Sequence, residues 1–248
     1  MSILVIPDLH HRIAAADRIL AAEAQSPHRV VFLGDYLDDF GDNPDIARET
    51  AEWMRRQIEA GHTLLWGNHD MPYGFRPDLH RCPGYEPRKA VEVNKVLSRP
   101  LWKKLRLWEV IEIPGARPWV LSHAGLHPGW FDLPGGPGRA EPLKHLAWLH
   151  KQALEMLYVV GETHPVINAC PQSRGGRDPI GGVLWMDWGD FRPLRGVNQL
   201  VGHTPMRNPD AFEAEESTNW CIDTNTHHYA VIEDNGELSI RRTPPRVA

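Results

Sequence analysis

Apolar residues along the chain fall into short runs, most of them closed by a glycine or proline and all followed by polar side chains. Ser2–Ile6 and Arg29–Leu33 are two such runs, of the kind buried on both faces of a parallel sheet. Between them Ile13, Ala16, Ile19 and Leu20 recur at helical spacing, so the opening predicts a strand–helix–strand unit. Asn43-Pro44 supplies a helix N-cap and a first-turn proline, Ile46, Trp53, Met54 and Ile58 a buried face, and Gly61 a stop. His62–Trp66 reads as the third strand. Ala90, Val93, Val96 and Leu97 predict a further helix, and Leu107–Ile113 and Pro118–Leu121 two strands across a Pro-Gly turn. Leu126–Gly182 breaks this rhythm. It holds Gly- and Pro-rich turns, a helix near Leu143–Val160 and a loop whose Arg174 and Arg177 read as solvated. Val197–Val201, Trp220–Asp223, Tyr229–Glu233 and Leu238–Arg241 complete the strands, and Asn235-Gly236 turns the last two into a hairpin.

Where the apolar runs stop, the same residue types return. The first run is followed by Asp8-Leu9-His10, the second by Gly34-Asp35 with Asp38 and Asp39, and the third by Gly67-Asn68-His69-Asp70. The later ones end in Ser122-His123-Ala124-Gly125 and Gly202-His203-Thr204. In open α/β sheets ligands bind at the carboxyl ends of strands. Carboxylates crowded there repel one another unless positive charge sits among them.

Composition narrows the choice without making it. The 248 residues are 42% hydrophobic and 24% charged, ordinary for a soluble globular chain, and suffice for one domain spanning 1–248. A net charge of −5 with no basic run gives no strong signal for nucleic acid. Three cysteines without a C-x-x-C spacing argue against a disulfide framework or a thiolate zinc site. No run approaches the roughly 18 apolar residues of a membrane span, and the chain opens directly into a strand, so a cytoplasmic protein without membrane contact is expected.

Collected together, Asp8, His10, Asp35, Asn68, His123 and His203 offer three imidazoles, two carboxylates and one amide oxygen. That set suits two divalent ions of the Mn, Fe, Zn or Ni kind. Asp35 can bridge two ions, and two ions roughly 3.5–4 Å apart can hold a hydroxide placed to attack phosphorus in line. His69 stands beside a ligand yet is spare, free to act as general acid, with Asp38 to orient it.

The series D-x-H, G-D-x-x-D, G-N-H-D, S-H-A-G and G-H-T resembles the calcineurin-like metallophosphoesterases. The runs GDYLDD, SHAGLHP and VGHTP are most similar to the branch of bacterial PPP-type serine/threonine phosphatases and symmetrical diadenosine tetraphosphatases. The resemblance implies an α/β four-layer β-sandwich, two mixed sheets flanked by helices; 126–182, by its broken rhythm, reads as an inserted, cap-like, substrate-facing segment. It implies that Asp8, His10 and Asp35 hold one metal, that Asp35, Asn68, His123 and His203 hold the other, and that Asp38 and His69 form the acid dyad. The activity implied is hydrolysis of a phosphomonoester or phosphoanhydride on a small molecule, nucleotide or phosphoprotein. The alternatives are a phosphodiesterase or nuclease on the same metals, or a non-catalytic module keeping the fold. Two positions depart from the branch. Asp39 stands where G-D-x-x-D-R-G has arginine, and Trp66 stands where arginine precedes G-N-H. Arg207 is the first candidate to replace them, with Arg76, Arg174, Arg177, Arg192 and Arg195 behind it. His127 is a second candidate substrate contact, and Trp185 or Trp188 a candidate for stacking on a nucleobase.

Overall fold

A computed structural model describes residues 1–26, 28–80 and 82–246. Two five-stranded mixed sheets lie between helices. The first contains β1 (Ile3–Ile6), β2 (Arg29–Phe32), β3 (Thr63–Leu64), β9 (His228–Ile232) and β10 (Leu238–Arg242), in the order β10-β9-β1-β2-β3. The second contains β4 (Trp108–Ile111), β5 (Trp119–Ser122), β6 (Asn198–Val201), β7 (Asp210–Ala214) and β8 (Ser217–Cys221), in the order β4-β5-β6-β8-β7. β1, β2 and β3 run parallel to one another, as do β5, β6 and β8, so the loops after them emerge at common edges.

The two-residue period of the strands sorts their side chains between layers. Ile3 and Val5 pack with Leu121 and Leu200 of the second sheet and with Ile222 just past β8, forming the core between the sheets. Leu4 and Ile6 point the other way, into the cluster that holds Ala16, Ile19 and Met54 of the helices. This is why the strands read as continuous apolar runs: both faces are covered. The helix Pro44–Glu59 begins where the sequence places it, with the Asn43 side chain accepting from the amides of Asp45 and Ile46, both at 3.0 Å. Such a cap contributes about 1 kcal/mol.

Some boundaries move. The helix near Leu143–Val160 is α-helical only over Pro142–Glu155 and then widens into a π turn, Met156–Val160, stopped by Gly161 at φ 82°. β7 is an exposed edge strand with no apolar alternation, and for that reason the sequence pattern does not show it. The final hairpin forms, with Gly236 taking the left-handed position at φ 87°. Among the described residues no helix is long and apolar enough to cross a membrane.

Candidate metal centre

The loops after β1, β2, β3, β5 and β6 meet in one place. Asp8, His10 and Asp35 each offer a ligand atom within 4.8 Å of the others, and so do Asp35, His123 and His203. Asp35 belongs to both sets. Asn68 joins the second, its Oδ1 lying 2.8 Å from His123 Nε2, which is itself 3.0 Å from His203 Nδ1. All six residues that the sequence nominates are therefore brought together.

The orientation of each donor has a local cause. His10 gives its Nδ1–H to the Asp38 carbonyl at 2.6 Å, which leaves Nε2 turned toward Asp35 Oδ2 at 3.6 Å. His123 likewise gives Nδ1–H to the Leu33 carbonyl at 3.1 Å, freeing Nε2. A backbone acceptor on the far nitrogen is the usual way a ligating imidazole is fixed. Asn68 donates Nδ2 toward Cys82 Sγ at 3.2 Å, so its oxygen faces inward. His203 is tied by its own amide to Asp8 Oδ1 at 2.9 Å.

Backbone geometry concentrates strain here. His10, Asp35, Asp38 and His203 all have φ between 42° and 67°, a region that side-chain-bearing residues seldom occupy. Gly67 and Gly202 are required by close approach instead. A Cβ on Gly67 would lie 2.1 Å from Asp35 Oδ1, and one on Gly202 1.9 Å from Asp8 Oδ2.

The electrostatics fit cations. Burial, then the charges of Asp223 and Asp35, push Asp8 well above the usual carboxylate range. Burial also pushes His123 down to about 4 and His203 well below its ordinary value, so both imidazoles are neutral and able to ligate. Asp8 Oδ2 and His203 Nε2 are buried polar atoms without a hydrogen-bond partner. Such atoms are costly in a folded protein unless something else engages them. The oxygen and nitrogen donors present, with no thiolate among the two sets, suit a pair of divalent transition-type ions.

His69 sits beside these groups without joining either set. Its amide donates to Asp35 Oδ1 at 2.9 Å, and its Nδ1 lies 3.2 Å from Asp38 Oδ2. Burial alone would depress its pKa. The charge of Asp35, and then hydrogen bonds with Asp38 and Cys82, push it up to about 12, so the ring carries its proton. Asp38 is held from behind as well: Tyr73 donates its hydroxyl at 2.5 Å and the buried Lys89 its ammonium at 2.7 Å.

Several functional positions escape sequence reasoning. Asp70, the last residue of G-N-H-D, is fully buried and accepts the amides of Asp35, Tyr36, Leu37 and Gly67, which fixes the loop that carries Asp35. Asp223, buried just after β8, adds a third carboxylate beside Asp8 and lines the cavity over the site. Arg12, two residues past His10, lines the same cavity and pairs with Asp39 at 3.2 Å. The D-x-H-H-R run was the available signal for Arg12.

The other candidate substrate contacts lie elsewhere. Arg207 is exposed and is not among the residues lining this cavity. His127 lines a separate cavity and accepts the Gly129 amide at 3.0 Å as a helix cap. Arg177 and Arg192 line that second cavity too, while Arg76 and Arg195 are taken up by Asp78 and Glu216. Arg174 is not a solvated residue: it bonds Thr204 Oγ1 at 2.7 Å and Asp187 at 2.8 Å, packed behind His203. Trp185 stands edge-on to His203, with ring centroids 6.2 Å apart, and Trp188 bonds Asp210. Trp66 is buried and stacked on Trp102, with centroids 5.1 Å apart, so that position serves packing.

Comparison with known proteins agrees with this geometry. The family model described as calcineurin-like phosphoesterase matches residues 1–230. No curated protein matches the chain. Among solved structures, a cold-active protein-tyrosine phosphatase of a psychrophile, Shewanella sp., superposes with a TM-score of 0.57 at 14% identity, over 96% of this chain and 80% of that one. A protein serine/threonine phosphatase from Saccharomyces cerevisiae gives 0.53 at 12% identity, over 100% and 81%. These likenesses speak to the fold: two mixed sheets flanked by helices.

Proposed function

The chain belongs to the calcineurin-like phosphoesterase family, and from that premise we propose that it is a hydrolase using two divalent metal ions to cleave a phosphomonoester or phosphoanhydride. One observation carries the proposal: Asp35 is common to two ligand sets, each drawn within 4.8 Å. Asp8, His10 and Asp35 would hold one ion, and Asp35, Asn68, His123 and His203 the other. Bound there, the ions supply an activated water and neutralise charge on the phosphoryl oxygens.

The chain's own groups do the rest. Asp8, Asp35 and the neutral imidazoles fix where the phosphoryl group sits relative to His69. As the ester P–O bond breaks, His69 passes its proton to the departing oxygen, and that proton is later restored from solvent. Asp38 keeps the ring oriented, with its Oδ2 on Nδ1 at 3.2 Å. With Asp35 engaged by cations, part of the pull that raises His69 is cancelled, bringing its acidity toward the range where proton transfer is useful.

A second reading, a phosphodiesterase, is favoured by one feature: Trp66 is packed into the core where the phosphatase branch places a phosphate-gripping arginine. A manganese-reconstituted preparation assayed on a monoester, a diester and diadenosine tetraphosphate separates the two. Chelator-sensitive turnover of the monoester or the tetraphosphate, faster than the diester, supports the first reading. Faster diester turnover supports the second, and hydrolysis of none of the three refutes both.

A further inference from the structure

The general acid marks the side on which the leaving group departs. His69, Asp38, His10 and Asp223 line a cavity of about 390 Å³, so a group that departs toward His69 enters a space shared with its other lining residues. Among these, Phe40, Pro83 and Pro205 are exposed ring-bearing residues at its mouth, and Arg12 and Asp39 line it too, each about one-third exposed. Phe40 is the notable member. It is 105% exposed, the most exposed large hydrophobic side chain among the described residues. Yet its loop is braced on both flanks. Asp39 pairs with Arg12 and accepts the Phe40 amide at 2.8 Å, while Asp42 is gripped by the buried Lys89 at 2.8 Å and by His11 at 2.9 Å. An aromatic face presented to water on an anchored loop, at the rim of a cavity over a general acid, is placed for contact with a ligand.

Arg12 completes the arrangement. Its pair with Asp39 is about one-third exposed on both sides, and such pairs are weak and solvent-screened. The guanidinium can therefore leave Asp39 for a phosphate oxygen, where two parallel hydrogen bonds are available. It does so from a different element than the branch's usual arginines, whose places are taken by Asp39 and Trp66.

We propose that this mouth is a leaving-group subsite for a planar ring. Its substrates are small phosphate esters or anhydrides whose departing group carries a nucleobase or an aryl ring, with Phe40 against the ring and Arg12 on a phosphate oxygen. This names a substrate class for the site described above and rests on the hydrolase reading.

The test is equilibrium binding by calorimetry to the manganese-loaded protein, with adenosine 5′-phosphate, phenyl phosphate and methyl phosphate as probes. Ring-bearing probes are expected to bind about tenfold more tightly than methyl phosphate. In Phe40→Ala that advantage is lost while methyl phosphate binds as before. Arg12→Met is expected to weaken all three by about tenfold. A greater advantage for adenosine 5′-phosphate than for phenyl phosphate assigns the nucleobase, and the reverse assigns the aryl ring. Equal binding of all three by the wild type, or an advantage that survives Phe40→Ala, overturns the subsite. An unchanged Arg12→Met overturns its phosphate contact. If the ring preference is present but neither these probes nor diadenosine tetraphosphate nor a diester is turned over, the subsite stands and the hydrolase reading fails.

Discussion

Lys89→Met is the sharpest perturbation of the apparatus behind the general acid. Lys89 Nζ is nearly inaccessible to solvent, 2.7 Å from Asp38 and 2.8 Å from Asp42. Asp42 in turn meets His11 Nε2 at 2.9 Å, and His11 Nδ1 meets Thr50 Oγ1 at 2.7 Å. Burial would lower the lysine pKa, but its hydrogen bonds to Asp38 and Asp42 outweigh that and raise it, so the ammonium is the positive centre between the buried Asp38 and the partly buried Asp42. Methionine matches the side chain's bulk and removes only the charge and its donors. Removing one partner of a buried ion pair costs about 3–5 kcal/mol, because the remaining charges lose their counter-ion. For a chain of this size that corresponds to a fall in Tm of roughly 6–20 °C. Urea unfolding of the wild type, Lys89→Met, Asp42→Asn and the double variant should give a coupling energy of about 2 kcal/mol. With its anchor gone Asp38 holds His69 less firmly, and kcat should fall by about tenfold with little change in KM. A Lys89→Met protein within about 0.5 kcal/mol of wild type, with no coupling to Asp42→Asn, would refute the reasoning.

Two further outcomes follow from the same geometry. His69→Asn should lower kcat by about 10²–10⁴ for substrates with poor leaving groups, much less for good ones, while metal content stays constant; equal losses across a leaving-group series would exclude a proton-donating role. In the metal-free protein, burial and then the charge of Asp35 push Asp70 up to about 8. An unfolded aspartate titrates near 3.9, so the native chain keeps a proton that the unfolded chain has lost. The resulting stability is full below about pH 4 and is gone once pH passes about 8. Between pH 6.5 and 8 the loss from Asp70 is on the order of 1–2 kcal/mol, and His69, which keeps its proton in the native chain while an unfolded imidazole gives its proton up, adds a loss of the same sign. Tm should therefore fall over that interval in chelator and stay nearly level with manganese, whose charge offsets Asp35; parallel curves would count against it.

What was legible in the sequence is what repeats. Each buried strand leaves an apolar run, and each ligand stands within a few residues of its end, so Asp8, Asp35, Asn68, His123 and His203 were found by position alone. The four-layer arrangement followed from the family resemblance, and the alternation of Ile3 and Val5 against Leu4 and Ile6 explains it. What was hidden depends on contacts between distant residues. Lys89 looks like an ordinary solvated helix lysine until it meets Asp38, 51 positions away. Arg12 looks like a loop cation until it meets Asp39, and Arg174 read as solvated because nothing local announces Thr204. β7 leaves no pattern in the sequence because an exposed edge strand needs no apolar face. Trp66 stands out in the sequence only as a missing arginine; its stacking on Trp102 shows that the position packs into the core.

The most direct measurement is metal stoichiometry. Plasma mass spectrometry of the protein purified without chelator and equilibrated with manganese should give two ions per chain, falling to one or fewer in Asp35→Ala, since that carboxylate serves both ligand sets. Two ions retained in Asp35→Ala, or none bound by the wild type, would contradict a dinuclear centre at these residues.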